Sequence, residues 1–128
     1  MYKTEKVATI AERLNEALRI RGKKQIDLVQ GTGVNKSTIS RYLRGEREPK
    51  QTALLKLARV LNVSEAWLLG FDVPMERTPE QKKNDDLVTI VGMLRKNPDL
   101  FEMVNLLTQL PAEDYDRVKV IITALLQK

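Results

Sequence analysis

The sequence predicts an all-α chain, on three observations. Apolar residues recur at i, i+3, i+4 and i+7 along most of its 128 residues, the spacing that lines up one face of a helix. Gly22, Gly33, Asn62 and Gly70 fall where those stripes stop, and Thr4, Asn35 and Ser64 stand just ahead of the next ones, as helix caps do. The expected division is a helical unit over residues 1–71, a linker over 72–84 and a helical region over 85–128.

Each element has its own reason. Thr4 is expected to cap a first helix whose stripe is Val7, Ile10, Ala11, Leu14, Ala17 and Leu18, ended by Gly22. From Gln25 a second helix buries Ile26, Leu28 and Val29 and stops at Gly33, the residue that most cheaply turns left-handed. Val34 then returns to the core and Asn35 caps a third helix starting at about Lys36. There Ile39, Tyr42 and Leu43 face inward, which leaves Lys36, Ser37, Ser40, Arg41 and Arg44 on the outer side. Pro49 precedes a fourth helix with Leu54, Leu57, Ala58 and Leu61 buried, closed by Asn62. Ser64 opens a short fifth helix containing Trp67, read as a core anchor.

The segment FDVPMERTPEQKKN, with two prolines and no apolar period, reads as the linker. Beyond it Leu87, Ile90, Val91 and Leu94 form one stripe and, after the Asn97-Pro98 cap, Leu100, Phe101, Val104 and Leu107 form a second. Leu110-Pro111 introduces a last helix with acidic residues near its start, Lys128 at its end, and Val118, Ile121, Ile122 and Leu125 on its apolar side. About forty residues in two or three helices bury too little apolar surface to stand alone, so this part is expected to dimerise. The dimerisation residues expected are Leu100, Phe101, Val104, Leu107, Val118, Ile121, Ile122 and Leu125.

Composition narrows the function. The chain has no Cys and no His, which excludes disulfides, thiolate or imidazole metal ligands, cysteine nucleophiles and histidine bases. Asp85 with Asp86, and Glu113 with Asp114 and Asp116, sit at expected helix starts, where capping explains them better than catalysis or metal binding. No cofactor and no metal are expected, and no enzymatic activity. Residues 1–71 hold 14 Lys and Arg against 7 Asp and Glu, whereas residues 72–128 hold 8 against 10. A basic module followed by a mildly acidic one suits a polyanion binder joined to an oligomerisation or sensing part. The charged N-terminus lacks a signal-type apolar region and no 18 apolar residues run together. The expected location is therefore the cytoplasm, at the nucleoid, without membrane association.

The polar outer face of the third helix is short, positive and rich in hydrogen-bonding groups, and it matches what a DNA major groove offers: guanine O6 and N7 to Lys or Arg, mixed edges to Ser, and phosphates to cations. A solvated surface face is the alternative reading of these residues taken alone. The order of Gln25, Gly33, Ile39, Tyr42, Gly45 and Pro49, followed by LLKLARVLNVSEAWLLG, resembles the DNA-binding domain of lambda-repressor-like (Xre-type) regulators over roughly residues 5–71. The resemblance implies a five-helix DNA-binding domain, with Asn35, Lys36, Ser37 and Arg41 at its base-reading positions and Lys36 and Arg41 foremost. It implies phosphate contacts from Gln25, at a helix N-terminus, and from Ser40, Arg44, Arg47 and Lys50. Where the family usually pairs an Arg with an acidic residue, Leu18 and Leu43 stand here and are expected to touch as an apolar pair.

The function these readings favour is sequence-specific binding of double-stranded DNA by a transcriptional regulator, a phage-type or bacterial repressor acting as a homodimer on an inverted-repeat operator. The competing reading is an adaptor or antitoxin-like module whose C-terminal helices bind another protein, such as an antirepressor, with DNA binding secondary. Self-cleavage of the kind known in related repressors needs an Ala-Gly or Cys-Gly bond, and the sequence has neither.

Overall fold

A computed structural model describes residues 5–127. The described chain is helical, with α1 at Ile10–Arg21, α2 at Gln25–Thr32, α3 at Lys36–Arg44, α4 at Gln51–Leu61, α5 at Glu65–Leu69, α6 at Pro79–Lys96, α7 at Pro98–Leu107 and α8 at Tyr115–Leu126. It divides into two compact units after Asp85, so the stretch 72–84 expected as a linker belongs with the first unit.

The first unit is built around one apolar cluster. Leu14, Ala17, Leu28, Ile39, Leu57, Ala58, Leu61, Val63 and Leu68 are wholly inaccessible to solvent, with Tyr42 and Trp67 nearly so. Every one of these except Val63 and Leu68 lies on a stripe or at an anchor position read from the sequence. Leu18 and Leu43, the expected pair, both pack against this cluster.

Several local expectations change. Thr4 lies outside the described residues; the cap of α1 is Thr9, whose hydroxyl accepts from the Glu12 N–H at 3.1 Å while the Glu12 carboxylate accepts from the Thr9 N–H at 2.9 Å. This reciprocal pair satisfies two amide groups that a helix start otherwise leaves open. The hydrogen bond from the Thr9 backbone, then that from its side chain, holds the Glu12 carboxyl below its ordinary pKa. Val7 consequently precedes the helix and is exposed. Ile26, expected inside, is 51% exposed, because only one narrow side of the short α2 faces the core. Thr32 takes a buried place and stays satisfied, donating its hydroxyl to the Leu28 carbonyl at 2.5 Å and accepting from the Val34 N–H at 3.2 Å.

Two glycines set how the helices meet. Gly33 ends α2 at φ +75, the left-handed conformation that costs other residues a clash at Cβ. At Gly31 a Cβ would stand 2.7 Å from a Val60 methyl, so the missing side chain is what lets α2 and α4 approach. Charged side chains finish the packing. Arg21 donates to the Leu61 and Asn62 carbonyls at 3.1 and 2.9 Å, which closes the open end of α4. Arg13 stacks on Trp67, with its guanidinium carbon 4.5 Å from the ring centroid.

Residues 72–85 pack onto this unit. Val73 and Met75 rest against the apolar cluster, and the Met75 carbonyl accepts from the Ser64 N–H at 2.7 Å. Arg77, whose side chain is 2% exposed, donates Nε and Nη2 to the two Asp85 carboxylate oxygens, both at 2.7 Å, and Nη1 to the Val63 carbonyl at 2.9 Å. Asp85, expected as a helix-start acid, stands instead six residues into α6 as the partner of a buried arginine. Thr78, just before α6, and Gln81 exchange the same reciprocal bonds seen at Thr9 and Glu12, each 3.1 Å long.

The second unit has helices but no buried residue among those described. The Asn97 side chain caps α7 by accepting from the Leu100 N–H at 3.1 Å, with Pro98 in the first turn as the sequence indicated. The last helix begins later than Leu110-Pro111 suggested: Ala112–Asp114 form a 3-10 turn and α8 starts at Tyr115. Lys128 lies outside the described residues.

Candidate nucleic-acid interface

The third helix has two unlike sides. Stepping about 100° per residue, Ile39 and Tyr42 fall together and are buried, with Thr38 and Leu43 half-buried beside them. The opposite arc carries Lys36, Ser37, Arg41 and Arg44, all exposed, with Ser40, half-buried, between Lys36 and Arg44. Ser37 and Arg44 lie nearest the middle of that arc and Lys36 and Arg41 flank it. An arginine at each of two successive exposed turns gives planar, five-donor groups that a base edge or a phosphate can accept from in pairs.

The local backbone fixes this face. The Asn35 side-chain oxygen accepts from the Thr38 N–H at 2.8 Å, starting α3 in place. Its oxygen is committed to the cap, so what Asn35 can offer a base is its NH2 group. At the far end Gly45 turns at φ +75 and its N–H bonds back to the helix, so α3 stops within nine residues. Asn15 of α1 donates to the Leu43 carbonyl at 2.9 Å and ties that end of α3 to the core helices.

Gln25 stands at the first position of α2 and donates its side-chain amide to the Lys36 carbonyl at 3.3 Å. The start of α2 therefore lies within a side chain's reach of the start of α3, and a helix start is a place that favours an anion. The Asp27 carboxylate accepts from the Lys24 N–H at 2.8 Å, which satisfies the amide just ahead of α2.

The remaining cations differ in how freely they are held. Arg44 donates Nη1 to the Ser40 hydroxyl at 2.7 Å and pairs through Nε with Glu46. Arg47 and Lys50, in the loop between α3 and α4 and at the cap of α4, are exposed. The structure thus brings Gln25, Asn35, Lys36, Ser37, Ser40, Arg41 and Arg44 onto one helix and its neighbouring helix start, with Arg47 and Lys50 on the segment that follows. Sequence reasoning missed the Gln25–Lys36 link and the hold of Ser40 and Glu46 on Arg44. The i, i+4 spacing of Ser40 and Arg44 was the one signal for the latter. Among the described residues no group of acidic side chains is arranged to hold a metal ion, and no helix is long and apolar enough to cross a membrane.

Residues 14–68 match the helix-turn-helix family model, a span that holds α2, the Gly33 turn and α3. The first unit is a helix-turn-helix domain of the lambda-repressor-like, Xre type. Over 63 residues this helix-turn-helix chain is 38% identical to an uncharacterized HTH-type transcriptional regulator of Haemophilus influenzae, an alignment covering 49% of this chain and 26% of that protein. The chain thus spans about a quarter of that relative's length. It is 27% identical over 95 residues to the HTH-type transcriptional regulator ImmR of Bacillus subtilis, covering 74% of this chain and 75% of that one. Among solved structures, the P22 c2 repressor protein in complex with a synthetic operator is 30% identical, at a TM-score of 0.46, covering 49% of this chain and 96% of that chain.

Proposed function

We propose that this chain is a transcriptional regulator of the repressor type that binds double-stranded DNA through the outer face of α3. One observation carries the reading: a helix whose inner side is locked into the core presents Lys36, Ser37, Arg41 and Arg44 outward on a fixed backbone. A major groove admits one such helix. Lys36 and Arg41 are the side chains that reach guanine O6 and N7, and Ser37 and the Asn35 amide take mixed edges. Gln25 at its helix start, Ser40, Arg44, Arg47 and Lys50 hold phosphates and set the register. The names of the relatives support the same class of activity.

The finer reading is a homodimer on an inverted repeat. Two α3 helices related by a two-fold axis enter successive major grooves when half-site centres lie about one helical turn apart, roughly 34 Å. With about four phosphates neutralised per subunit, affinity falls with a log-log salt slope of about −7. Selection of sites from randomised duplex DNA, run in parallel with the Lys36→Ala, Arg41→Ala variant, tests both levels. An inverted repeat enriched by the unmodified protein alone is the expected result. Equal, salt-sensitive binding by both proteins without enrichment would leave a basic surface only, and would favour an adaptor whose C-terminal helices engage a different protein such as an antirepressor.

A further inference from the structure

Fourteen of the seventeen exposed large hydrophobic residues among those described lie in the second unit, from Leu87 to Leu126. Its helices are regular and α7 is capped, yet none of its described side chains is buried. This differs from a folded domain with an apolar groove, because no core lies beneath the face. The clearest case is α8, where Thr123 is the one polar residue from Val120 to Leu126 and Val120, Ile121 and Leu126 are 69%, 61% and 80% exposed. A helix that is apolar nearly all round must be surrounded, and a groove binder on one side of it would leave the other side wet.

Resting on the homodimer reading above, we propose that the second unit folds only against a second copy of this chain, with its core lying wholly between the copies. Folding of residues 86–127 and dimerisation are then one event. The size fits. A fully buried aliphatic side chain removes about 60–120 Å2 from water at the usual transfer coefficient, so fourteen residues about half exposed offer on the order of 600 Å2 per copy. Two copies reach about 1,200 Å2 of apolar surface alone, the scale of a specific interface before any polar rim is added. Charge also permits it: residues 86–128 carry 5 Lys and Arg against 6 Asp and Glu, so two copies meet with almost no net repulsion.

Trp67 is the sole tryptophan and is buried in the first unit, which makes the two units separately observable. Denaturant unfolding of the full chain is followed by Trp67 fluorescence and by far-ultraviolet circular dichroism across a hundredfold range of protein concentration. The expected result is a circular-dichroism transition that moves to higher denaturant with concentration, and a fluorescence transition that does not. In the Ile121→Asp, Leu125→Asp variant, sedimentation velocity should give a monomer with reduced helix signal and unchanged Trp67 emission. A concentration-independent transition, a variant monomer with full helix content, or a variant that stays dimeric would each overturn the proposal. DNA reading is scored separately on a single half-site duplex: binding retained by the monomeric variant leaves that function standing whatever the dimer result. Conversely, coupled dimerisation without site selection would sink the DNA reading alone.

Discussion

Replacing Arg77 by Met keeps most of the buried stem and removes the guanidinium, and the structure indicates what that costs. Two bonds to the Asp85 carboxylate and one to the Val63 carbonyl disappear together. Breaking a buried ion pair from one side costs about 3–5 kcal/mol, because the group left behind has lost its partner in a poorly solvated place. Asp85 is 23% exposed and keeps Arg59, whose Nε lies 3.2 Å from its Oδ1. The abandoned carboxylate is therefore not stranded, and the loss belongs at the low end, about 3 kcal/mol. For a unit of this size about 1 kcal/mol moves Tm by 4–8 °C, so the Trp67-monitored Tm should fall by about 15 °C. Because the bidentate contact is shielded from solvent, raising the salt to about 1 M should change the difference between the two proteins little. A fall of less than about 5 °C, or a difference erased by salt, would refute the reasoning, since a solvated surface pair behaves that way.

On the face proposed to meet DNA, Lys36→Ala and Arg41→Ala should each cost about 1–3 kcal/mol of binding to the selected site, measured by titration of labelled duplex, with Tm unchanged because both side chains are exposed. Glu46→Gln should do the opposite: with Arg44 released from its carboxylate partner, affinity rises a few-fold and the salt slope steepens by about 1, and an unchanged slope would show that Arg44 never reaches phosphate. Thr9→Ala should lower stability by about 1 kcal/mol in thermal melts. The Glu12 carboxyl is lowered on folding, so its contribution is fully present above its unfolded pKa and is lost as the pH falls through the lower, folded value. In Thr9→Ala that acid-side dependence should shrink, which a carbon-detected NMR titration of Glu12 reads directly.

What the sequence made legible follows from where local rules suffice. The stripe of α4, the Gly33 turn and the Asn35 and Asn97 caps depend on residues within four positions of each other, and all stand where reading placed them. The start of α1 went astray because two threonines compete for the cap, and the Glu three residues beyond Thr9 is the signal that decides between them. Residues 72–85 were opaque for a different reason. Their fold rests on Arg77 reaching Val63 and Asp85, and nothing in a segment rich in proline and charge announces which arginine is buried or which of its acids, here one eight residues on, becomes the partner. At the candidate interface the exposed arc of α3 was legible from its inner stripe alone, since what is not buried must be presented. The state of each group on it was not: the bonds from Gln25 to Lys36 and from Arg44 to Ser40 and Glu46 are matters of rotamer and neighbour.

The C-terminal helices mark the limit of periodicity as evidence. A 3.6-residue stripe says that a face must leave water, but it carries no information on whether the covering surface belongs to the same molecule. In α1 and α4 the stripe residues Leu14, Leu57 and Leu61 are covered by their own chain to zero exposure. In α7 and α8 Phe101, Ile121 and Leu125, with the same spacing, remain more than half exposed. The difference lies in the number of helices available, since five short helices close a core and the second unit has too few turns to surround α8. On the proposal above, the same deficit ties the folding of residues 86–127 to pairing with a second copy. A regulator reading two half-sites needs that coupling, because a monomer with one α3 has half the contacts and no means of measuring the distance between grooves.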